Sequence, residues 1–230
     1  EALAIWPDEP VWQGKAATMA EEADNYLKAA QHWKSASHLM PNNTEYTLAL
    51  GRSFAHMERY REAAEAFDRA TRLNPADYDS WIELANAAKR AGMLTEAMGS
   101  AQTASQLKPE DVRGLLLTAE IAVDLGNADA AAEYARMALR REPHNPSAVL
   151  ALSKALVKVG KEEESLGMIE EKLAEMSPSL PLLYERARLV YKLKGAPAAS
   201  GLAAKLAQTY PEDTEVLAMM ARIQVESGDK

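Results

Sequence analysis

Residues 60–81 read YREAAEAFDRATRLNPADYDSW and contain the two signals that decide the fold prediction. In the first part, alanines recur every three or four residues beside one large aromatic residue, Phe67, which is the spacing of a single helical face. The pattern ends at a proline, and Asp77 follows in a position suited to cap the next helix. The stretch therefore predicts two closely packed helices joined by a short connector.

The connector recurs along the chain with a period close to 34 residues. Three glycines fall at one offset inside successive units, where each is expected to end a helix in the left-handed conformation; they are Gly92, Gly126 and Gly160. The recurring prolines are Pro7, Pro41, Pro75, Pro109 and Pro143 at intervals of 34, Pro178 after 35 and Pro211 after 33. The longer interval predicts one extra residue before Pro178. Two amphipathic segments per period and no period-two alternation predict an all-α array of helical hairpins.

The array resembles the tetratricopeptide repeat family, whose unit has large and small residues at fixed offsets. In the unit that begins at Thr44, the matching residues are Leu50, Gly51, Phe54, Tyr60, Ala63, Phe67, Ala70 and Pro75. The resemblance implies a right-handed α-α superhelix of about six repeats plus a C-terminal capping helix. The expected organisation is a single array over residues 1–230, with repeats at approximately 10–43, 44–77, 78–111, 112–145, 146–179 and 180–212 and a lone helix at 213–227.

The match is weaker in the first repeat and in the repeat that begins at Pro146. The first helix, from Pro10, fits the family pattern poorly, and Ser165 and Lys172 replace two of the alanines expected in a second helix. The sequence begins without methionine and stops at the close of a helical pattern, so we expect a fragment of a longer protein. Non-identical, alanine-rich repeats are typical of bacterial members of the family, and both bacterial cytoplasm and periplasm fit.

Composition argues against several classes of function. The net charge of −8 argues against nucleic-acid binding, and no apolar run is long enough for direct membrane insertion. With no cysteine, the chain cannot form disulfides or cysteine-ligated zinc sites. The four histidines form no HExxH pattern, and no phosphate-binding GxxxxGK sequence is present. We therefore expect no catalytic residues, no bound metal and no cofactor.

In the resembled family, fixed positions on the first helix of each repeat line a concave groove that binds extended peptides. In this sequence the equivalent positions hold a row of apolar residues, an apolar ladder, flanked by more basic than acidic residues. Such a surface suits a partner segment with apolar side chains and some negative charge. The alternative is that the ladder only pads neighbouring helices while the cations are solvated. The candidate groove residues are Leu48, Arg52, Ile82, Asn86, Lys89, Arg113, Leu116, Leu150, Lys154, Tyr184, Arg188 and Tyr191.

Three functional hypotheses follow from these residues. The first is a non-catalytic scaffold that binds an extended peptide or partner protein in the groove. The second is a structural module that self-associates into homo-oligomers through its ends or its inner faces. Trp6, Trp12 and the lone C-terminal helix would supply apolar surface at the ends. The third is a substrate-docking arm of a larger enzyme or of a secretion or export machine.

Overall fold

The computed structural model describes residues 9–227, and within them the chain forms thirteen α-helices and no strand. The all-α prediction is confirmed. Connectors of one to four residues join successive helices. The helices are α1 Pro10–Glu22, α2 Tyr26–Leu39, α3 Thr44–His56, α4 Tyr60–Leu73, α5 Tyr78–Arg90, α6 Leu94–Leu107, α7 Val112–Asp124, α8 Ala128–Arg141, α9 Pro146–Lys158, α10 Glu162–Glu175, α11 Leu180–Lys194, α12 Ala196–Thr209 and α13 Thr214–Ser227.

The helices follow a stricter period than the prolines. Each odd-numbered helix begins 34 residues after the previous one, and so does each even-numbered helix. The expectation of an extra residue before Pro178 is therefore wrong. Its connector, residues 176–179, has the ordinary length, and Pro178 occupies the third place instead of the second.

Polar side chains begin many of the helices as the sequence predicts. Asn43, Asp77 and Asn145 accept hydrogen bonds from backbone N–H groups of the following first turn at 3.1, 3.2 and 3.1 Å. Such a cap stabilises a helix by about 1 kcal/mol. Gly92 and Gly126 have φ of +76° and +75°, so the predicted left-handed helix ends are confirmed there.

The chain divides into two compact units, Glu1–Ile121 and Ala122–Lys230, which are described separately. The boundary falls within α7. In unit 1, each helix from α1 to α5 packs on the next helix in the chain. The first helix is a regular thirteen-residue helix despite its weak match to the family pattern. Pro10 occupies its first turn, where no N–H partner is needed.

The core of unit 1 shows why α4 uses alanine. Ala63 and Ala70 are fully buried, and Phe67 between them is 1 % exposed. The Phe67 ring lies against Gly51 of α3, where an added Cβ would come within 2.6 Å of the ring carbon Cε1. Small residues on both helices therefore allow a close crossing, and one aromatic ring fills the space beside it.

Unit 2 has a more aliphatic core, which includes Val149, Ile169, Leu182 and Leu189. Each helix from α8 to α12 packs on the next, and α11 also contacts α9 and α13. The serine that replaces an expected alanine, Ser165, is fully buried with its hydroxyl 2.7 Å from that of Ser153. Because this hydrogen bond satisfies both hydroxyls, the polar substitution is tolerated inside the core.

Candidate functional site

The twelve predicted groove residues all lie on odd-numbered helices. Seven belong to unit 1 and five to unit 2, so they form two sets, each within its own unit. In unit 1 they are Leu48 and Arg52 on α3, Ile82, Asn86 and Lys89 on α5, and Arg113 and Leu116 on α7; in unit 2 they are Leu150 and Lys154 on α9, and Tyr184, Arg188 and Tyr191 on α11.

The apolar members of the unit 1 set are half-buried. Leu48 and Ile82 pack against the core cluster that contains Phe67 and Leu84. Part of each side chain therefore packs against neighbouring helices, as expected if these apolar residues have a structural role. The part that remains exposed is available to a partner.

The basic members of the unit 1 set are paired with carboxylates on adjacent odd-numbered helices. These ion pairs contribute at most about 1 kcal/mol each because every side chain in them is at least a quarter exposed to solvent. They also neutralise cations that the sequence suggested would be available to a partner. The pairs are Arg52 with Glu83 at 3.2 Å, Lys89 with Glu120 at 2.7 Å, and Arg113 with Asp79 at 3.2 Å.

Asn86 lies on the exposed face of α5. Its side-chain amide donates to the carbonyl of Ile82, one turn earlier, at 3.0 Å. Arg52, Glu83 and Arg90 line the same open pocket of about 480 Å³. To hold a ligand backbone, Asn86 would exchange this local bond for one to the ligand.

Arg113 also belongs to a cluster with Asp111 and Tyr78, in which the pKa values are shifted most strongly within unit 1. Its guanidinium donates to Asp111 at 2.8 Å, and these hydrogen bonds lower the pKa of Asp111 to about 2. Burial and a hydrogen bond with Asp111 raise the pKa of Tyr78 to about 12. The backbone N–H of Gly114 donates to the Tyr78 hydroxyl at 3.2 Å, which fixes the start of α7 on α5.

This cluster predicts a pH dependence of stability. The folded pKa of Asp111 lies below its ordinary value of 3.8, so its stabilising effect is present above that value and is lost as the pH falls towards 2. We expect Asp111→Asn to lower the free energy of unfolding near neutral pH and to match the wild type at about pH 2. Denaturant unfolding across this range measures the difference, with Asp129→Asn on α8 as a control. A constant difference at every pH would contradict the assignment.

An apolar concavity lined by predicted residues lies in unit 2. It is a cleft of about 760 Å³ beside α9 and α11, and four of the five predicted residues of this unit line it. Tyr191 is the exception, because its hydroxyl donates to Glu226 on α13. The lining residues are Val123, Leu150, Lys154, Val157, Lys158, Leu180, Pro181, Tyr184, Glu185, Arg188, Asp213, Glu215 and Val216.

The basic residues of this cleft differ in whether a carboxylate of the protein already neutralises them. Arg188 donates two hydrogen bonds, at 2.7 and 2.8 Å, to Glu185, a carboxylate that is 4 % exposed. Their mutual neutralisation removes Arg188 as a free charge, and the hydrogen bonds raise its pKa. Lys154 and Lys158 are exposed, and within residues 9–227 no carboxylate oxygen lies within 4.0 Å of either ammonium. These two lysines therefore supply the unpaired positive charge of the cleft, and Asp213 and Glu215 add carboxylates on its α13 side.

Some cleft residues were missed by sequence reasoning. Glu185 follows Tyr184 directly and lies three residues before Arg188, a spacing that brings opposite charges together on a helix. The spacing of Glu185 and Arg188 is visible in the sequence, whereas the burial of Glu185 is not. Asp213 and Val216 line the cleft from the start of α13 because α13 packs on α11. Nothing local in the sequence indicates that contact.

A family profile for the tetratricopeptide repeat matches residues 48–112, 99–149 and 116–181, which together span more than half of the chain. The chain belongs to the tetratricopeptide repeat family. The family resemblance and the helical-repeat solenoid class predicted from the sequence are confirmed. Proteins with this repeat are generally non-catalytic scaffolds for protein–protein interaction. Among curated protein sequences, none matches this chain.

Solved structures share the repeat fold at low identity. A tetratricopeptide repeat protein from Parabacteroides merdae is 17% identical, with 96% of this chain and 87% of that chain covered and a TM-score of 0.82. PilW, described as a type IV pilus biogenesis factor, is 17% identical, with coverage of 92% and 98% and a TM-score of 0.71. YrrB, described as having an unusual peptide-binding site, is 16% identical, with coverage of 80% and 94% and a TM-score of 0.66. These identities establish the fold alone.

Metal-binding clusters and membrane-spanning helices are absent from residues 9–227 of this repeat protein. No group of three or more His, Asp or Glu side chains in residues 9–227 is arranged to hold a metal ion. In the same range, no helix has the length and apolarity needed to cross a bilayer.

Apolar side chains are exposed on the first and last described helices. Val11 and Met19 on α1 are 52% and 69% exposed, and Val225 on α13 is 82% exposed. Trp12 lies on α1 with the Lys15 ammonium 4.4 Å from its ring centre, whereas Trp6 lies outside the described residues. Self-association through these surfaces stays a prediction.

Proposed function

We propose that this tetratricopeptide repeat protein is a non-catalytic scaffold that binds an extended segment of a partner protein along its odd-numbered helices. The unit 2 cleft supplies the principal contacts. The observation that supports this proposal is the combination, in one cleft, of half-buried apolar side chains with two lysines that have no carboxylate partner. The seven predicted residues of unit 1 extend the proposal to a second surface.

The chemistry of the cleft defines the kind of segment it would bind. Leu150, Val157 and Tyr184 are half-buried, so a ligand side chain that covers them removes apolar surface from water on both partners. Lys154 and Lys158 lie one helical turn apart on α9 and would attract one acidic side chain or two neighbouring ones. An apolar residue next to an acidic residue is therefore the minimal feature of the ligand.

Reversal of the two free lysines tests the proposal. Linear peptides are first selected from a display library on the wild-type protein and then measured by isothermal titration. We expect them to combine apolar and acidic residues and to bind Lys154→Glu/Lys158→Glu at least about tenfold more weakly, because two attractive charges become repulsive. Both lysines are exposed, so circular dichroism should show unchanged helical content.

The control variant is Lys194→Glu, which makes the same kind of charge change at an exposed position of α11 outside the cleft. It should leave peptide affinity unchanged at fixed ionic strength. Equal weakening by the control would show that only the net charge matters. Unchanged affinity in the double variant would contradict the cleft as the binding site.

A further inference from the structure

A second, smaller pocket lies between α11 and α12 of unit 2. Its volume is about 300 Å³, and no carboxylate lines it. Leu206 is 5 % exposed, and Leu183, Leu202 and Tyr210 are half-buried around it. It shares no lining residue with the cleft proposed to bind peptides. Its lining residues are Pro178, Leu183, Arg186, Leu202, Lys205, Leu206, Thr209 and Tyr210.

Two departures from the repeat pattern explain this pocket. Arg186 occupies the repeat position that is filled by Leu50, Leu84, Thr118 and Leu152 in the preceding units. Instead of filling the space between the two helices, its guanidinium reaches Glu170 on α10 at 3.4 Å. The position therefore holds no apolar side chain, and Arg186 lines the pocket instead.

The second departure is Leu206, which stands where four of the five earlier repeats have Ala36, Ala70, Ala104 and Ala138 and the fifth has Lys172. Those four alanines are fully buried, and a leucine cannot fit the close crossing that alanine permits. The adjacent 176–179 connector is also irregular. Ser179 at the start of α11 makes no capping bond, and its buried hydroxyl has no partner within the described residues.

The charged residues that line the pocket are all basic. Arg186 and Lys205 are its only lining residues with a formal charge near neutral pH. Arg186 is partly neutralised by Glu170, whereas no carboxylate among residues 9–227 lies within 4.0 Å of the Lys205 ammonium. In a chain of net charge −8, an apolar pocket beside an unpaired lysine favours an anionic ligand.

We propose that this pocket binds a small amphipathic carboxylate, with its apolar body against Leu183, Leu202 and Leu206 and its carboxylate at Lys205. At about 30 Å³ per water-sized group, the volume holds about ten non-hydrogen atoms. Octanoate has this size and is a suitable probe. For a ligand this small, a dissociation constant on the order of 1 mM is expected.

Restoring the repeat residue is the most informative test. Arg186→Leu should close the pocket, so octanoate titrated into the ¹⁵N-labelled protein should no longer give saturable amide shifts at Leu206 and Thr209. The same change should raise the thermal unfolding midpoint, because the pocket is filled with an apolar side chain. Loss of binding therefore cannot be attributed to unfolding. Saturable binding to this variant with unchanged affinity would overturn the proposal.

Lys205→Glu tests the recognition of the carboxylate. Octanoate should bind this variant about fivefold more weakly, as expected for one exposed charge pair, whereas 1-octanol should bind both proteins equally. Lys154→Glu, which alters the other cleft of unit 2, should not change octanoate binding. Failure of octanoate to bind the wild type, or equal weakening by both lysine variants, would contradict the assignment without affecting the peptide proposal.

Discussion

Phe67→Ala is expected to lower the free energy of unfolding by about 3–5 kcal/mol. The ring is 1 % exposed and fills the gap beside the crossing of α3 and α4, where Gly51 and Ala63 keep the backbones close. Alanine would leave a cavity that the two helices cannot collapse to fill, because the small residues already hold them near contact. Urea unfolding followed by circular dichroism measures the loss.

The only other phenylalanine of the chain, Phe54, supplies the matched control. It is half-buried, and the Arg59 guanidinium lies 4.8 Å from its ring centre. Phe54→Ala removes the same atoms from a partly solvated site, so a smaller loss is expected. Equal losses for the two variants would show that Phe67 has no special role at the helix crossing.

Gly114→Ala is expected to cost about 1–3 kcal/mol of stability, although alanine favours helices. A Cβ at Gly114 would lie 3.0 Å from the backbone nitrogen and 3.1 Å from the Cα of Ser105 on α6. Because backbone atoms cannot rotate away as a side chain can, α7 would have to shift. That shift would also strain the bond from the Gly114 N–H to the Tyr78 hydroxyl.

Gly99→Ala makes the same chemical change without the clash. Gly99 lies within α6, and no atom outside its own helix lies within 4 Å of an added Cβ. The variant should gain about 0.5–1 kcal/mol from the lower backbone entropy of alanine in the unfolded chain. Opposite signs for the two glycine variants are expected in thermal or urea unfolding. The same sign for both would contradict the close approach of α7 to α6.

Repeat spacing was readable from the sequence because it is a local signal repeated many times. Alanines at helical spacing, the capping residues Asn43 and Asp77, and the glycines of the tight turns all agree on the same hairpin. The position of Pro178 led to the wrong prediction of an extra residue in that repeat. A connector tolerates proline at more than one place, whereas the helices keep their period because each must stack on its neighbour.

The candidate site was less predictable because charge pairing depends on distances between helices. The sequence indicated that Arg52 and Arg188 lie on the exposed sides of their helices. It did not indicate that Glu83 and Glu185 come within hydrogen-bonding distance of them. Lys154 has no such partner among the described residues, so it is the strongest of the predicted cations.

The sequence by itself determined the helical hairpins, their 34-residue period and the small-to-large packing around Phe67, because these depend on residues close together in the chain. Only the tertiary structure decided which lysines stay unpaired and which spaces stay open. Arg186 shows the reason, since its position in the repeat was visible but its turn towards Glu170, and the pocket left behind, depend on three helices meeting in space.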